Sequence, residues 1–400
     1  MKILMVNKFL FPKGGAETYV LRLGAALQAQ GHEVQYFGMD HPARVVGNRA
    51  EAYTAPMDFH GASKLVRLTY PLRILYSAEA ARKIRRVLDQ FCPDVCHLNN
   101  FNYQLTPSII RAIRRWEKET GRRCRILYTA HDPQLVCPNH LCRNPNTGEL
   151  CQKCLQGRYW ACIKGRCIHG SFARSVLGAL ESALWHAAGI YREIETVVCC
   201  SHSVKRLLDT DTVLAEKTVV LHNFWDGPAA KEVQKKDYVL YFGRYAGEKG
   251  VETLVRAAKE LPHIPFVFAG SGPLESLLQQ VPNIRNVGFQ TGEALAKLIA
   301  EARFSVLPSQ WYENCPYSVL ESVGLGTPVL GADIGGIPEL IRPGVTGELF
   351  ESGNTQQLRD TIAALWGDAE TLARYTQNCV PDVFDKAGTY IEKIMRYYRP

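Results

Sequence analysis

Residues 304–331 read Phe-Ser-Val-Leu-Pro-Ser-Gln-Trp-Tyr-Glu-Asn-Cys-Pro-Tyr-Ser-Val-Leu-Glu-Ser-Val-Gly-Leu-Gly-Thr-Pro-Val-Leu-Gly. The apolar run Phe304 to Pro308 predicts a buried strand. A polar loop carrying Glu313 follows, and Pro316 suits the first turn of a helix over Tyr317 to Gly324. A second apolar run, Pro328 to Gly331, begins almost at once. Strand, helix and strand in such quick succession are the grammar of a parallel crossover, and this assigns the chain to the α/β class.

The same alternation extends in both directions. Upstream lie strands at Tyr238 to Phe242, Phe266 to Ala269 and Asn286 to Phe289, with helices at Val251 to Leu261, Leu274 to Gln280 and Gly292 to Glu301; a helix at Thr355 to Trp366 lies downstream. The amino-terminal half repeats the scheme. Ile3 to Val6 is a strand, Pro12 to Gly15 a loop, Thr18 to Gln30 a helix ended by Gly31, and Glu33 to Phe37 the next strand. Further strands are expected at Val95 to Leu98, Ile126 to Ala130 and Thr196 to Cys200. Two parallel sheets in 400 residues imply two domains. We place them at 1–222 and 223–381, joined by a linker near Asn223 to Lys236, with a terminal helix over 382–400 that returns to the first domain. Residues 132–169 show no sustained period and read as a long inserted loop.

Composition excludes several classes. Apolar residues make up 46% and charged residues 22%, ordinary values for a globular chain, and no run approaches the length of a membrane span. The short apolar opening Met1 to Val6 lacks the cleavage pattern of a secretory signal, so a cytoplasmic location is expected. Charge is uneven: residues 1–210 carry 29 Lys/Arg against 16 Asp/Glu, the remainder 18 against 23. A basic first half suits nucleic acid, anionic lipid or a phosphorylated acceptor.

The chemistry-bearing residues gather at expected strand ends. Glu313 and Glu321 flank a helix start whose Tyr317, Ser318 and Val319 N–H groups would point outward and attract phosphate. Two solvated carboxylates beside a core helix is the bland alternative. Gly14 and Gly15 allow close backbone approach to a ligand, with Glu17 in the first helical turn. Arg244 and Lys249 follow a strand and a glycine, where surface charges and an anion clamp are the competing readings. His131 ends the strand Thr129-Ala130, and Asn99, Asn100 and Tyr103 follow the strand ending at Leu98.

Five motifs in order give these residues a family. Gly14-Gly15-Ala16-Glu17, Phe242-Gly243-Arg244 with Glu248-Lys249-Gly250, Gly270-Ser271-Gly272-Pro273, the pair Glu313 and Glu321, and Gly335-Gly336-Ile337-Pro338-Glu339 together resemble the retaining GT-B fold glycosyltransferases of family 4. The resemblance covers nearly the whole chain, and the cysteine-rich insertion at 132–169 also resembles a loop of bacterial surface-polysaccharide members of the family. It implies two Rossmann-like domains facing across a cleft, acceptor on the first and nucleotide sugar on the second. It further implies a hexose transferred from a UDP or GDP sugar to a glycan or lipid-linked acceptor, without a catalytic metal and with retention. Arg244 and Lys249 would clamp the diphosphate in place of a divalent ion. His131 and Glu313 would lie at the transferred sugar. Gly14, Gly15, Gly270, Gly272, Val287, Gly288, Tyr317, Ser318, Val319 and Glu321 would line the donor, and Glu17, Asn99, Asn100 and Tyr103 the acceptor. Leaving phosphate rather than a side chain would help deprotonate the acceptor hydroxyl.

Thirteen cysteines include six between Cys137 and Cys167. Cys151 and Cys154 have the spacing of a zinc half-site, which Cys137 and Cys167 could complete as a structural zinc; reduced thiols and disulfides are the alternatives. Lys64 to Arg86 mixes leucines with basic residues, as a segment resting on an anionic membrane surface would, and equally as core-facing helices with solvated faces. Two rival functions stand beside the transferase: a GT-B fold nucleotide-sugar epimerase, which would turn over donor alone, and a zinc-containing nucleic-acid-binding protein. The second leaves Arg244, Lys249 and the Glu pair without a purpose, so nucleic acid is not an expected partner.

Overall fold

The computed structural model describes residues 1–57, 64–228 and 233–399, excepting the side chains of 64–68. The chain divides into two units, Met1–Leu221 with Gly388–Pro400, and His222–Ala387.

The first unit is built on six parallel strands: β1 (Lys2–Val6), β2 (Glu33–Phe37), β3 (Val95–Leu98), β4 (Arg125–Ala130), β5 (Thr196–Cys199) and β6 (Thr218–Val220), in spatial order β2-β1-β3-β4-β5-β6. The central residues of β1 to β5 are buried, as apolar strands require when helices cover both faces of a sheet, whereas the edge strand β6 is only partly buried. The helix Ala78–Phe91 shows how the crossovers are specified. Ser77 caps it by accepting the Ala80 N–H, and Ala80, Ile84, Val87, Leu88 and Phe91 form its buried stripe. The last helix, Ala387–Tyr398, buries Tyr390, Ile391, Ile394, Met395 and Tyr398, and its residues from Gly388 onward belong to this unit. It starts five residues later than the expected 382, after a 3-10 turn at Pro381–Val383.

The second unit has strands β7 (Lys236–Phe242), β8 (Phe266–Ala269), β9 (Ile284–Asn286), β10 (Ala302–Leu307), β11 (Val329–Ala332) and β12 (Gly347–Phe350), all parallel, in order β12-β11-β10-β7-β8-β9. Both units are therefore doubly wound and Rossmann-like. The chain reverses its direction of winding between β1 and β3 in one and between β7 and β10 in the other. Loops at the carboxyl ends of strands beside such a reversal splay apart and leave room for a ligand.

Several details depart from expectation. The strand expected at Asn286 to Phe289 lies at Ile284–Asn286, because Gly288 takes a left-handed φ of 70° that ends the extended chain. Strand β12 and the helix Ala369–Asn378 carry little apolar periodicity and escape a reading based on it. Asn223, expected in a linker, is buried and donates its side-chain N–H to the Cys315 carbonyl at 3.0 Å; residues 229–232 of that stretch lie outside the described residues.

The basic stretch Lys64 to Arg86 resolves into helices Lys64–Leu75 and Ala78–Phe91, with the side chains of Lys64, Leu65, Val66, Arg67 and Leu68 outside the described residues. Its second half is a core-facing helix. Arg73 and Lys83 pair with Glu79, each at 2.9 Å, and Arg85 pairs with Asp89 at 2.8 Å, so these cations are internally matched. Among the described residues no helix is long and apolar enough to cross a membrane.

Candidate active site

In the second unit, three loops meet where β7 and β10 end. The loop after β7 carries Gly243 and Arg244, then a 3-10 turn at Gly247–Lys249. Gly250 follows at φ 70°, and a Cβ there would lie 1.7 Å from the Pro308 carbonyl oxygen, so only glycine lets this loop close on the end of β10. The Gln310 N–H seals the contact by donating to the Glu248 carbonyl at 2.9 Å.

That closure sets Lys249 against Glu313. Their ion pair spans 2.6 Å, the Ser309 hydroxyl donates to the same carboxylate oxygen at 2.7 Å, and the Lys249 ammonium lies 4.7 Å from the centre of the Trp311 ring. Glu313 is buried. Burial alone would raise its pKa, but the Lys249 charge and these hydrogen bonds outweigh it and hold the carboxyl below its ordinary value. Glu313 is thus a fixed carboxylate. Its backbone is gripped too: Gly335, at φ 62°, leaves space for the Gly336 N–H to donate to the Glu313 carbonyl at 2.7 Å.

Arg244 behaves differently. Its side chain is 60% exposed and, among the described residues, pairs with Glu248 alone across one turn, a contact weak enough to exchange for an incoming anion. The Gly270–Pro273 loop lies against it, with the Tyr245 N–H donating to the Ser271 carbonyl at 2.8 Å. At Gly270 a Cβ would meet the Gly243 carbonyl at 1.9 Å, and at Gly272 the Tyr245 carbonyl at 2.4 Å. The Gly270 N–H reaches the Gly288 carbonyl at 2.8 Å, so the Val287-Gly288 segment joins the group. The helix Tyr317–Gly324 starts at Pro316 without a side-chain cap. One expectation fails here: the Val319 N–H turns inward to the Pro316 carbonyl at 3.1 Å, because the first turn is tight, and it does not point out of the helix end. Tyr317 is buried, while Ser318 and Glu321 are partly exposed.

In the first unit, His131 ends β4 next to Asn99 at the end of β3. The Asn99 amide N–H groups face the carbonyls of Val6 and His97 at 3.4 and 3.3 Å, which directs its oxygen to His131 Nε2 at 2.9 Å. Nε2 therefore carries the proton and donates, and Nδ1 keeps its lone pair. Burial pushes the His131 pKa down to about 3, so the ring is neutral. Glu17 is buried and receives the Asn7 amide at 3.1 Å, with Gly14 in front of its carboxylate. Gly14 has an extended backbone and opens the helix that begins at Gly15. Asn100 is tied to Asn7 through its N–H at 3.0 Å. Tyr103, at φ 68°, donates to the Pro138 carbonyl and stacks on His140, fastening the β3 loop to the cysteine-rich insertion.

The four expected zinc ligands do not converge. Cys137 donates to Asn139 at 2.9 Å and bonds with Cys142, whereas Cys154, Cys162 and Cys167 sit together in an apolar cluster with Tyr159 and Ala179. Cys151 meets Cys142 through its backbone. Among the described residues no group of three or more His, Cys, Asp or Glu is placed to hold a metal ion, and no disulfide joins these cysteines.

The sequence assigns no site role to Asn7, Asn223, Glu248, Ser309 and Trp311. Glu248 and Trp311 stand beside residues already singled out; Asn7, Asn223 and Ser309 carry no signal in one dimension. The expected donor and acceptor residues thus form two groups, seven in the first unit near the ends of β1, β3 and β4, the rest in the second.

Residues 13–226, more than half of the chain, match the family model described as Glycosyltransferase Family 4, and residues 226–379 match Glycosyl transferases group 1. The chain belongs to glycosyltransferase family 4. Against the alpha-D-kanosaminyltransferase of Streptomyces kanamyceticus, this family 4 chain is 33% identical over 154 residues, which is 36% of its own length and 40% of the relative's. An uncharacterized 42.6 kDa protein in the cps region of Klebsiella pneumoniae is 25% identical over 357 residues, 86% of this chain and 88% of that one. The fold is similar to that of Alr3699/HepE of Anabaena, solved in complex with UDP, with a TM-score of 0.66, 17% identity and 99% of each chain covered.

Proposed function

We propose that this family 4 chain transfers a hexosyl group from a nucleoside diphosphate sugar, of UDP or GDP type, to a glycan or lipid-linked acceptor, with retention and without a catalytic metal. The observation that carries the reading is the ion pair of Lys249 with the buried Glu313 at the winding reversal of the second unit, with the exposed Arg244 on the same loop as Lys249. Arg244 and Lys249 supply the positive charge that a leaving diphosphate needs, in a place where donors are already oriented. Glu313 is pinned as a carboxylate by Lys249 and Ser309, which suits it to accept hydrogen bonds from sugar hydroxyls. His131, neutral with a lone pair on Nδ1, suits a hydroxyl donor in the first unit, where Glu17, Asn99, Asn100 and Tyr103 support the acceptor loops. No side-chain nucleophile is assigned. That an Anabaena protein of similar fold was solved in complex with UDP supports a nucleotide-linked donor.

A thermal-shift panel of UDP, GDP and their sugars identifies the donor, because a ligand that binds only the folded chain raises its melting temperature. Turnover of that donor is then followed with and without chelator, and the anomer of the product is read by NMR. Loss of transfer on chelation, an inverted product, or unchanged rates in Arg244→Ala and Lys249→Ala would each defeat the corresponding part of the proposal.

A further inference from the structure

The helix Phe172–Ala187 shows two unlike faces. Ser175, Gly178, Ala179, Glu181, Ser182 and Trp185 are buried against the first unit. The opposite face presents Phe172, Leu180 and Leu184 to solvent at 59, 53 and 48% exposure, with Ala173, Ala183 and Ala187 also exposed between and beyond them. Arg174 is the only charge on it. A surface helix ordinarily turns its charged side outward; this one turns an apolar side outward.

Neighbouring elements continue the character. The helix Trp160–Lys164 packs on it and exposes Trp160 by 56%, with the Lys164 ammonium 4.4 Å from the centre of that ring. The helix Lys64–Leu75 packs on it as well. Leu72 beyond that contact is 73% exposed, and the half-exposed Tyr76 stacks on Trp185 at 6.0 Å. The chain segment around this helix is predominantly basic. Residues 133–191 contain six Lys/Arg and two acids, Glu149 and the buried Glu181. Lys153, Arg158, Lys164, Arg166 and Arg174 are exposed, and none makes an ion pair among the described residues.

We infer that this face docks on an anionic lipid bilayer, with Phe172, Leu180, Leu184 and Trp160 entering the interface and the surrounding cations meeting lipid phosphates. Apolar side chains ringed by Lys and Arg, with Trp and Tyr at the margin, match the chemistry of such an interface. A second copy of the chain fits worse, since a two-fold contact would set the same unpaired cations against each other. Within Lys64 to Arg86, whose pattern suits lipid contact and core-facing helices equally, Leu72 and Tyr76 are the described residues that stand at the edge of this face. The inference does not depend on the donor reading, because it is tested without turnover.

The experiment is flotation of the full chain with vesicles of phosphatidylglycerol and phosphatidylcholine, compared with pure phosphatidylcholine, alongside sedimentation of the free protein. The expected result is a monomer that floats with anionic vesicles only, less so as salt rises. Leu180→Gln with Leu184→Gln should lower the bound fraction at least about tenfold. Lys153→Gln, Lys164→Gln and Arg174→Gln together should weaken binding by about fivefold per cation and flatten the salt dependence. All five positions are exposed, so the variants keep the parent melting temperature, and donor-induced thermal shifts should persist in both. Absence of flotation, binding that both variants retain, or a dimer abolished by Leu180→Gln and Leu184→Gln would each overturn the inference.

Discussion

Lys249→Met separates the structural from the chemical role of the Lys249–Glu313 pair. Removing the ammonium leaves a carboxylate that is 8% exposed without its cation, with the Ser309 hydroxyl still donating to it at 2.7 Å. Breaking a buried pair from one side costs about 3–5 kcal/mol. Lys249 itself keeps 23% of its side chain in water, so screening reduces the figure to about 2–3 kcal/mol. For a unit the size of His222–Ala387 that corresponds to a melting temperature lower by about 4–12 °C. Glu313→Gln should cost less, because an amide tolerates burial and still accepts from Ser309, although Lys249 loses its partner.

The double variant decides the matter. Lys249→Met with Glu313→Gln removes both charges, and its melting temperature should recover most of the loss seen in Lys249→Met alone. Transfer activity should not recover: a site that depends on the cation for the diphosphate and on the carboxylate for the sugar stays at least about a hundredfold slow. Calorimetry and initial rates on the same preparations provide both numbers. Activity that returns together with stability would show the pair to be a structural clip, and the assignment of Lys249 and Glu313 to the donor would be wrong.

Three further outcomes follow from particular contacts. Glu181 is buried, its Oε1 has no hydrogen-bond partner, and burial raises its pKa to about 8, so the folded chain holds a proton that the unfolded chain releases near 4.5. Stability must fall as pH rises from about 4.5 to 8; Glu181→Gln should remove that fall and stabilise the chain at pH 8.5 by up to about 5 kcal/mol, and parallel denaturation curves for the two proteins across this range would refute it. Gly250→Ala places a methyl group into the Pro308 carbonyl at a left-handed φ, and should cost at least about 2 kcal/mol in urea denaturation while disturbing donor binding through Lys249. Tyr398→Phe takes away the hydroxyl 2.6 Å from His97 Nδ1, a ring buried in the first unit, and should destabilise by about 1–3 kcal/mol without changing the donor-induced thermal shift.

How much of this was legible in one dimension depends on the range of the interaction. The strands β2, β3 and β8 and the helices Gly292–Glu301 and Tyr317–Gly324 fall where the apolar runs, proline and glycine place them, because local burial and backbone freedom decide such elements. Gly250, Gly270 and Gly335 were visible as motif letters, but their purpose was not. Each exists because a carbonyl from a distant loop occupies the position of its missing Cβ, and only the folded sheet brings Pro308, Gly243 and Glu313 to those places.

Long-range pairing explains the remaining differences in the same way. Nothing in the spacing of Asn99 and His131 announces a hydrogen bond across 32 residues; it arises because β3 and β4 lie side by side in register. The cysteine insertion poses the same problem: a short spacing suggests ligands, but which thiols meet is decided by the path of the folded loop, and among the described residues no group of three or more His, Cys, Asp or Glu is placed to hold a metal ion. The helix Phe172–Ala187 follows from the same logic. Its periodicity marks it as amphipathic, but periodicity cannot say which side the rest of the chain will cover, and here the small and polar residues turned inward. An apolar stripe that a sequence reader assigns to the core is left at the surface once the core side is filled by Gly178, Ala179 and Ser182, whose small size lets the helix sit close to the insertion loop beneath it.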